Sequence, residues 1–377
     1  MQKIFIIAGE ASGDLHGADL VHKLKNKYPE IQLFGMGGKL MQQAGVDILI
    51  DIKETAFVGL FDILKNLSKI FTIFKKIKTA LSAQRPDLII LIDYPAFNLR
   101  LAKIATKAHV KVLYYISPQI WAWHASRIKI IKRYVDHMAV ILPFEVEIYK
   151  KAEVPVTFVG HPLLKIVKPN ISIDEAKKSL GLPNNRTIIG LMPGSRKSEI
   201  TYLLPIMLKA AELLQDRYPN IQFLLPLASS LDERDLALHL TDTQLLPIHI
   251  IKEDHYNAMQ TCDAIIAASG TATLEVTILG IPLAIIYKTS PIEAFLGRRL
   301  MKIKYLGLCN VIAGKEIVQE FLQEKAEPHA IAKEISRILD DESYRRKIIS
   351  DMNLVKQALD VPTGNSIERV VEEVLKE

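Results

Sequence analysis

One carboxylate, Asp93, stands at the end of the most apolar run in the chain, and it is the first candidate for chemistry. The run is LIILID, and Tyr94 and Pro95 follow it directly. Apolar surroundings at the end of a buried strand raise the pKa of a carboxyl toward values that suit a general base. Alternatively, Asp93 caps a helix that Pro95 helps to start. The residue types leave both interpretations open.

The loop after the first apolar run, GEASGD at residues 9–14, combines small and polar residues. It lacks the glycine spacing of the dinucleotide-binding pattern GxGxxG, and the chain contains no GxxxxGK[ST] sequence, which argues against a dehydrogenase and a P-loop NTPase. As structure alone, a glycine-rich turn that leads into a helix is common. At the edge of a cleft, polar residues of this loop would contact a substrate, and the candidates for this contact are Ser12, Asp14 and the nearby His16, together with Glu10.

Two loops in the second half of the chain have the composition of phosphate-binding turns. PGSRKSE at residues 193–199 and SGTATLE at residues 269–275 each follow an apolar run and precede a helical pattern. Small residues allow backbone N–H groups to approach an anion at a helix N-terminus, an arginine adds a bidentate donor, and a carboxylate inside the second helix suits a ribose hydroxyl pair. Taken singly, either loop is also compatible with a solvated turn or with helix capping. Together they predict a nucleoside diphosphate site formed by Gly194, Ser195, Arg196, Ser269, Gly270, Thr271 and Glu275.

No spacing in the sequence supports a metal site or a redox-active cysteine pair. The ten histidines include no HxxxH or HExxH pattern, and neither Asp-x-Asp nor Cys-x-x-Cys occurs. Cys262 and Cys309 are expected to be small, buried hydrophobic residues. We therefore expect no metal and no cofactor.

The hydrophobic pattern indicates which elements hold these loops. Short apolar runs alternate with longer helical patterns, and runs such as TIIGLM are apolar at nearly every position, as in parallel strands covered on both faces. The alternation restarts after a polar, proline-containing connector near residues 162–172. We predict an α/β protein with two facing Rossmann-like domains and ligands at the carboxyl ends of the strands. The predicted bounds are residues 1–165, residues 172–340, and terminal helices at residues 341–377 that return to the first domain.

Composition permits an anionic partner but does not identify one. Among 377 residues, 48 are Lys or Arg and 42 are Asp or Glu, a formal net charge of +6, and 49% are hydrophobic. Nucleotides and anionic lipid suit this charge, whereas no recognition motif supports nucleic-acid binding. The chain has no run of about 18 uncharged residues, the length that a membrane span needs, and the N-terminus lacks the features of a signal peptide. We therefore expect a cytoplasmic protein.

The segment at residues 60–78, LFDILKNLSKIFTIFKKIK, combines a broad apolar arc with five lysines. The residues of this arc are Leu60, Ile63, Leu64, Leu67, Ile70, Phe71, Phe74 and Ile77. An ordinary amphipathic helix that faces the core explains this pattern. Two apolar residues outside the arc, which are expected to be exposed, and the lysines also fit a helix that lies on an anionic membrane. The candidates for membrane contact are Phe61, Lys65, Lys69, Ile73 and Lys76.

Taken together, these motifs resemble the lipid-A-disaccharide synthase family. The resembling segments are AGEASGDLHGADL, GMGG, LIDYPAFN, YYISPQIWAW, LPFE, FVGHPL, LMPGSR and SGTATLE, which occur in this order over nearly the whole chain. The resemblance implies a glycosyltransferase-B fold. It also implies a metal-independent, inverting reaction in which UDP-2,3-diacylglucosamine and lipid X (2,3-diacylglucosamine 1-phosphate) give the β-1,6-linked disaccharide 1-phosphate and UDP. The implied location is peripheral, on the inner face of the bacterial inner membrane, and members of the family can form homodimers by exchange of C-terminal segments.

The resemblance also implies roles for individual residues. Asp93 aligns with the carboxylate proposed as the catalytic base, and Glu10 with an acidic residue that supports catalysis or the acceptor. Ser12, Asp14 and His16, near Glu10, are then the candidates on the acceptor side. Arg196, Glu275 and Asn310, the last in the segment CNVIAGKE, align with positions at the UDP site. Two alternatives stay open: another UDP-sugar enzyme of the same fold, such as a UDP-sugar 2-epimerase or a transferase for a different lipid, and a non-catalytic protein that binds UDP-sugar or a membrane surface.

Overall fold

The computed structural model describes residues 2–55, 67–123, 125–183, 185–228, 230–240, 246–300, 303–361 and 364–376. The chain forms two compact units, residues 1–162 with 361–377 and residues 163–360. Each unit contains a parallel sheet, so the predicted α/β class with parallel sheets is confirmed. In the part of the chain that is described, no helix is both long and apolar enough to cross a bilayer.

The first unit is built on a sheet of seven parallel strands. These are β1 (Lys3–Ala8), β2 (Gln32–Gly37), β3 (Asp47–Asp51), β4 (Leu88–Ile92), β5 (Lys111–Tyr115), β6 (His137–Val140) and β7 (Val156–Phe158). Their order is β3-β2-β1-β4-β5-β6-β7. Every residue of β4 is buried, as expected for a strand whose two faces are both covered.

Helices cover both faces of this sheet. Successive residues of a strand point to opposite faces, so strands that are apolar at nearly every position give the sheet two apolar faces to bury. The helices before the second unit are α1 (Ala11–Lys27), α2 (Lys39–Gln43), α3 (Leu67–Gln84), α4 (Pro95–Lys107), α5 (Ile128–Tyr134) and α6 (Glu145–Lys151). From β1, Ile4 packs in one apolar cluster with Leu24 of α1, whereas Phe5 packs in another with Ile77 of α3. The sheet therefore lies between two hydrophobic layers.

The second unit has a sheet of six parallel strands. These are β8 (Thr187–Met192), β9 (Ile221–Pro226), β10 (Ile248–Ile251), β11 (Ala264–Ala268), β12 (Leu283–Tyr287) and β13 (Glu320–Leu322), in the order β10-β9-β8-β11-β12-β13. Its helices are α7 (Leu163–Ile166), α8 (Ile173–Ser179), α9 (Lys197–Arg217), α10 (Glu233–Leu240), α11 (His255–Met259), α12 (Thr271–Leu279), α13 (Pro291–Leu300), α14 (Leu308–Ala313), α15 (Pro328–Asp340) and α16 (Glu342–Leu359). Strands β8 and β11 are almost wholly buried at its centre.

Each sheet reverses its strand order at a point that positions the candidate loops. In the first unit β1 pairs with both β2 and β4, and Ala8 lies opposite Ile92. In the second unit β8 pairs with both β9 and β11, and Met192 lies opposite Ala267. Open parallel sheets bind ligands outside the carboxyl ends of their strands at such switch points. The loops after β1 and β4, and those after β8 and β11, therefore lie at the expected ligand-binding edges.

The C-terminal segment is divided between the two units. Helix α16 packs on α12, α14 and α15 of the second unit, whereas the last helix, α17 (Ile367–Lys376), packs on α1, β5 and β6 of the first. Val370, Val371 and Val374 are buried there, and Lys111 Nζ donates to the Val374 carbonyl at 3.0 Å. The return to the first unit thus involves residues 361–377, whereas the sequence predicted residues 341–377, because the apolar face of α16 is buried in the second unit.

Candidate active site

Asp93 and Glu10 come together at the switch point of the first sheet. Glu10 follows β1 by two residues and Asp93 follows β4 by one, and the two strands pair in parallel. Burial raises the pKa of the Asp93 carboxyl to about 6, and the negative charge of Glu10 adds to this shift. Glu10 itself is exposed. A carboxylate of raised pKa beside an open loop is suited to removing a proton from a bound hydroxyl.

Helix capping does not account for Asp93. The N-cap residue of α4 is Tyr94, and no side-chain hydrogen bond caps this helix. The Asp93 carboxyl accepts the N–H of Tyr94, which precedes the first turn. The capping interpretation is therefore not supported, and the general-base role of Asp93 stays a prediction that its raised pKa permits.

Asp14, an acceptor-side candidate, is engaged by the protein itself. Its buried carboxylate accepts three backbone N–H groups, from Gly38 at 2.7 Å, Leu40 at 3.0 Å and Met41 at 3.1 Å. These bonds tie α1 to the GMGG segment and to the first turn of α2. The structure therefore corrects the prediction: Asp14 anchors a neighbouring loop and does not offer its carboxylate to the acceptor.

Ser12 and His16, the other acceptor-side candidates, lie on α1. Ser12 is exposed and His16 is partly buried. Burial lowers the pKa of His16, with Asp19 acting in the opposite direction. Burial lowers the pKa of His161 to about 4, and the charge of His16 adds to this shift. Acceptor contact by Ser12 and His16 stays a prediction.

A second buried carboxyl, Glu145, lies near Asp93, and no sequence pattern singled it out. It is 1% exposed, and burial raises its pKa to about 8, with the charge of Asp93 contributing. Trp121 Nε1 donates to Glu145 Oε1 at 3.2 Å, and Ser117 also bonds to this carboxyl. Glu145 thereby ties the segment after β5 to the start of α6. The motifs LPFE and YYISPQIWAW contain these residues, but nothing in their letters shows that they meet.

In the second unit, the turn at residues 193–196 is arranged around Glu199, which lies in the first turn of α9. Its Oε2 accepts the backbone N–H groups of Ser195 at 2.8 Å and Arg196 at 3.2 Å. Gly194 has a φ of +111°, and a Cβ there would lie 2.2 Å from Glu199 Oε2, which explains the glycine. Two donors that the sequence assigned to a phosphate are therefore already paired within the loop. Gly194 and Ser195 thus support the turn through Glu199. Phosphate contact by either residue stays a prediction.

Arg196, the last residue of this turn, presents its charged group to solvent, as does the next residue, Lys197. Its side chain is 79% exposed, and its Nη1 lies 3.5 Å from Glu199 Oε1. Exposed ion pairs of this kind contribute little to stability, so the guanidinium can turn toward a phosphate at small cost. Phosphate binding by Arg196 stays a prediction that the geometry permits.

The segment at residues 269–275 contains the N-terminus of α12, which begins at Thr271. Gly270 is its N-cap and Thr271 its first residue, both are exposed, and no side-chain hydrogen bond caps the helix. Ser269 Oγ donates to the Leu306 carbonyl at 3.0 Å, so Ser269 holds the loop in place. Glu275, one turn further along, is partly buried, and burial raises its pKa. This arrangement is compatible with a phosphate at the helix N-terminus and a sugar hydroxyl near Glu275.

Asn310, a candidate for the UDP site, uses its whole amide within the protein. Its Nδ2 donates to the Val318 carbonyl and to Glu320 Oε1, both at 2.8 Å. Its Oδ1 accepts the N–H groups of Ile317 at 2.8 Å and Val318 at 3.1 Å. The residue is fully buried. The structure therefore corrects its predicted role from a direct contact with UDP to the organisation of the segment at residues 314–320.

The membrane-contact candidates are only partly described. Phe61 and Lys65 lie outside the described residues. Ile73 was expected to be exposed, and this prediction is wrong: the residue is 2% exposed and packs in the core of the first unit with Ile77. Phe71, which the apolar arc had placed toward the core, is instead 72% exposed. Helix α3 thus buries a face that is rotated relative to the predicted one.

The lysines on the described part of α3 remain at the surface. Lys69 is exposed, and Lys76 forms an exposed ion pair with Glu54 at 3.1 Å. At about 100° per residue, the exposed Lys75 and Lys78 align with Phe71. The exposed ring of Phe71 therefore has Lys75 and Lys78 beside it. The lysines predicted for membrane contact were instead Lys65, Lys69 and Lys76.

Cys262 and Cys309 are both buried, as predicted. Among the described residues, no group of three or more His, Cys, Asp and Glu side chains is arranged to hold a metal ion.

Solved structures share this fold at low sequence identity. UDP-GlcNAc 2-epimerase from Neisseria meningitidis, bound to UDP-GlcNAc, superimposes with a TM-score of 0.66 at 14% identity, and the alignment covers 100% of both chains. The calicheamicin glycosyltransferase CalG4 superimposes with a TM-score of 0.64 at 14% identity, covering 100% of this chain and 99% of that one. These likenesses show the fold alone, which is the glycosyltransferase-B fold that the resemblance implied.

Relatives of much higher sequence identity show the family. The lipid-A-disaccharide synthetase family model matches residues 4–374. Lipid-A-disaccharide synthase from Trichlorobacter lovleyi is 50% identical over 358 residues, which are 95% of this chain and 93% of the relative. The enzymes of the same name from Geobacter sulfurreducens and Coxiella burnetii are 47% and 44% identical, each over 99% of this chain and over 97% and 98% of their own length. The chain therefore belongs to the lipid-A-disaccharide synthase family of glycosyltransferases.

Proposed function

We propose that this chain is an inverting glycosyltransferase that joins UDP-2,3-diacylglucosamine to lipid X. The products are the β-1,6-linked lipid A disaccharide 1-phosphate and UDP. The observation that carries the proposal is the Asp93 carboxyl, whose pKa burial and Glu10 raise to about 6, at the switch point of the first sheet. Membership of the family supplies the substrate class.

On the acceptor side, Asp93 acts as the general base. The 6-hydroxyl of lipid X is a weak nucleophile, so its proton passes to the Asp93 carboxylate as its oxygen attacks the anomeric carbon of the donor. The bond from that carbon to the diphosphate oxygen breaks, UDP leaves with the electron pair, and α geometry becomes β. Such a base contributes about 10²- to 10⁴-fold to the rate. Glu10 supports it by keeping the Asp93 carboxylate more basic.

On the donor side, the second unit binds UDP-sugar. The Arg196 guanidinium and the N-terminus of α12 at Gly270 and Thr271 stabilise the negative charge of the departing diphosphate. Glu275 accepts hydrogen bonds from the ribose hydroxyls, and Ser269 holds the loop through Leu306. In this proposal, the domain predicted at residues 1–165 binds the acceptor and the domain predicted at residues 172–340 binds the donor.

Contact with an anionic membrane surface completes the proposal. The exposed ring of Phe71, with Lys75 and Lys78 aligned on the same face of α3, has the chemistry of a helix that lies at a bilayer interface. The proposed location is the inner face of the bacterial inner membrane, where substrates with acyl chains are embedded. Homodimer formation by exchange of the C-terminal segment stays a prediction, and sedimentation velocity of the purified chain tests it.

One assay separates the proposed function from its alternatives. The purified chain is incubated with UDP-2,3-diacylglucosamine, with and without lipid X, and the products are analysed by mass spectrometry. We expect the disaccharide 1-phosphate and UDP only when lipid X is present, and we expect Asp93→Asn to abolish turnover while it binds UDP as the wild type does. Conversion of the donor sugar without lipid X indicates a 2-epimerase, and binding of the donor without UDP release indicates a non-catalytic protein.

A further inference from the structure

The passage from β4 to α4 is strained. Asp93 and Tyr94 have φ angles of +45° and +48°, in the left-handed region that residues with a Cβ rarely adopt. Two such residues in succession, here called the elbow, persist only where surrounding groups hold them. The elbow carries the carboxyl that the proposed reaction uses as its base.

Asn98, one turn into α4, holds the elbow from the helix side. Its Nδ2 donates to the Ile92 carbonyl at 3.0 Å and to the Asp93 carbonyl at 2.7 Å. The residue is fully buried, and its Oδ1 has no hydrogen-bond partner among the described residues. Because an unpaired buried acceptor is costly, an apolar residue of the same size would suit this position better if packing were its purpose. The two donated bonds are therefore the contribution of this side chain.

Tyr114, on the neighbouring strand β5, holds the same carbonyl from the sheet side. Its hydroxyl donates to the Asp93 carbonyl at 2.6 Å, and its ring is fully buried. Burial raises the pKa of this phenol well above its ordinary value, so it remains a donor at physiological pH. The Asp93 N–H donates in turn to the Tyr115 carbonyl at 2.9 Å. Both polar groups of the Asp93 backbone are thus held by buried partners.

The elbow also determines where the Tyr94 ring lies. A Cβ placed on Gly9 would be 2.2 Å from Tyr94 Cδ1, so the ring rests directly on the backbone of the loop that carries Glu10. If the elbow relaxed, the Asp93 carboxyl and the neighbouring Glu10 loop would both shift. The geometry of the base therefore depends on the elbow.

We propose that Asn98 and Tyr114 are positioning residues, which hold the elbow in its left-handed conformation and keep the Asp93 carboxyl oriented toward the acceptor hydroxyl. The inference rests on the proposed function, because it takes Asp93 as the base. It extends that function to two buried side chains that touch no substrate. A displacement of about 1 Å at a reacting group can cost about 100-fold in rate.

Two variants test the inference through the split between kcat and KM. Asn98→Leu removes both donors at similar volume, and we expect kcat to fall about 100-fold. Tyr114→Phe removes one hydroxyl and leaves the ring, and we expect kcat to fall about tenfold. For both variants, the KM for UDP-diacylglucosamine and the Kd for UDP by calorimetry should stay near the wild-type values. Because both side chains bond the same carbonyl, the double variant should lose less than the product of the single losses.

Thr106→Val is the matched control on α4. Thr106 Oγ1 donates to the carbonyls of Ala102 at 2.9 Å and Tyr134 at 3.2 Å, so this variant also removes hydrogen bonds from the helix, but away from the elbow. We expect its kcat to equal that of the wild type.

The possible results separate this inference from the proposed function. Wild-type kcat in folded Asn98→Leu and Tyr114→Phe overturns the inference, as does a fall in UDP affinity that parallels the fall in kcat. If Asn98→Leu does not fold, Tyr114→Phe alone decides. Full turnover by Asp93→Asn instead overturns the proposed base, whatever the two positioning variants do.

Discussion

Glu10 lies beside Asp93 at the carboxyl ends of β1 and β4, and its negative charge adds to burial in raising the pKa of the Asp93 carboxyl to about 6. A general base must be ionised before it can accept a proton. The proposed reaction should therefore require a pH above about 6, and Glu10 should influence where that limit lies.

The first prediction concerns this pH limit. Glu10→Gln removes one of the two causes that raise the pKa of Asp93, so the acid limb of the kcat profile should move to lower pH. The measurement is kcat at saturating substrates between about pH 5 and pH 8. Glu30→Gln, which alters an exposed carboxylate in the turn before β2, is the control and should leave the limb in place. An unchanged limb in Glu10→Gln would show that the two carboxyls do not interact.

The second prediction concerns stability and Glu145. The folded chain holds the Glu145 proton up to about pH 8, whereas the unfolded chain releases it near pH 4.5. A raised carboxyl pKa stabilises the fold fully below the unfolded value, and this contribution is lost as pH rises through the folded value. Glu145→Gln cannot ionise, so its Tm should fall less than that of the wild type between about pH 6 and pH 8. Parallel Tm curves would contradict the predicted titration.

The third prediction concerns the donor diphosphate. Arg196→Ala should lower kcat/KM for UDP-diacylglucosamine about 10- to 100-fold, because a hydrogen bond between two charged groups is lost. Lys197→Ala removes the next cation, which pairs with Asp235 at 2.7 Å, and should have little effect. Steady-state kinetics at varied donor concentration measure both. Equal losses in the two variants would mean that only the general positive charge of the loop matters.

The fourth prediction concerns Asp14. Asp14→Asn replaces an acceptor oxygen with a donor that faces backbone N–H groups, and it should lower the free energy of unfolding in urea by about 2 kcal/mol. The control is Asp19→Asn on the same helix, which breaks an exposed pair with Lys23 worth about 0.5 kcal/mol or less. Unchanged stability with weaker binding of lipid X would restore the acceptor-side role.

The fifth prediction concerns the membrane surface of α3. The triple variant Phe71→Ser, Lys75→Glu and Lys78→Glu should co-sediment less with anionic vesicles. Each lysine lost should weaken the free energy of membrane binding by about 1 kcal/mol. The free energy of unfolding should stay nearly unchanged. Ile73→Ser should instead lower the free energy of unfolding by about 3 kcal/mol, because it opens a cavity in the core and buries a hydroxyl. Undiminished vesicle binding by the triple variant would place the membrane contact elsewhere.

Many strands of this protein, and the loops that follow them, have local sequence patterns and could therefore be predicted from the sequence. Strands buried on both faces are apolar at nearly every position, so β4 and β8 were recognisable, and the loops after them could be located as candidate sites. Glu10 and Asp93 were each placed at the carboxyl end of a strand, but the pairing of β1 with β4, which brings them side by side, comes from the tertiary structure.

Only the tertiary structure decided which polar side chains in those loops remain available to a ligand. The carboxylate of Asp14 is used by Gly38, 24 residues away, and the Asp93 carbonyl is held by Tyr114 from a neighbouring strand, 21 residues away. Helix α3 shows the same limit: its periodicity predicted an apolar arc, but the neighbouring sheet determined that Ile73 points inward and Phe71 outward. Hydrogen-bond partners and packing neighbours come from distant parts of the chain, and local patterns of residues do not record them.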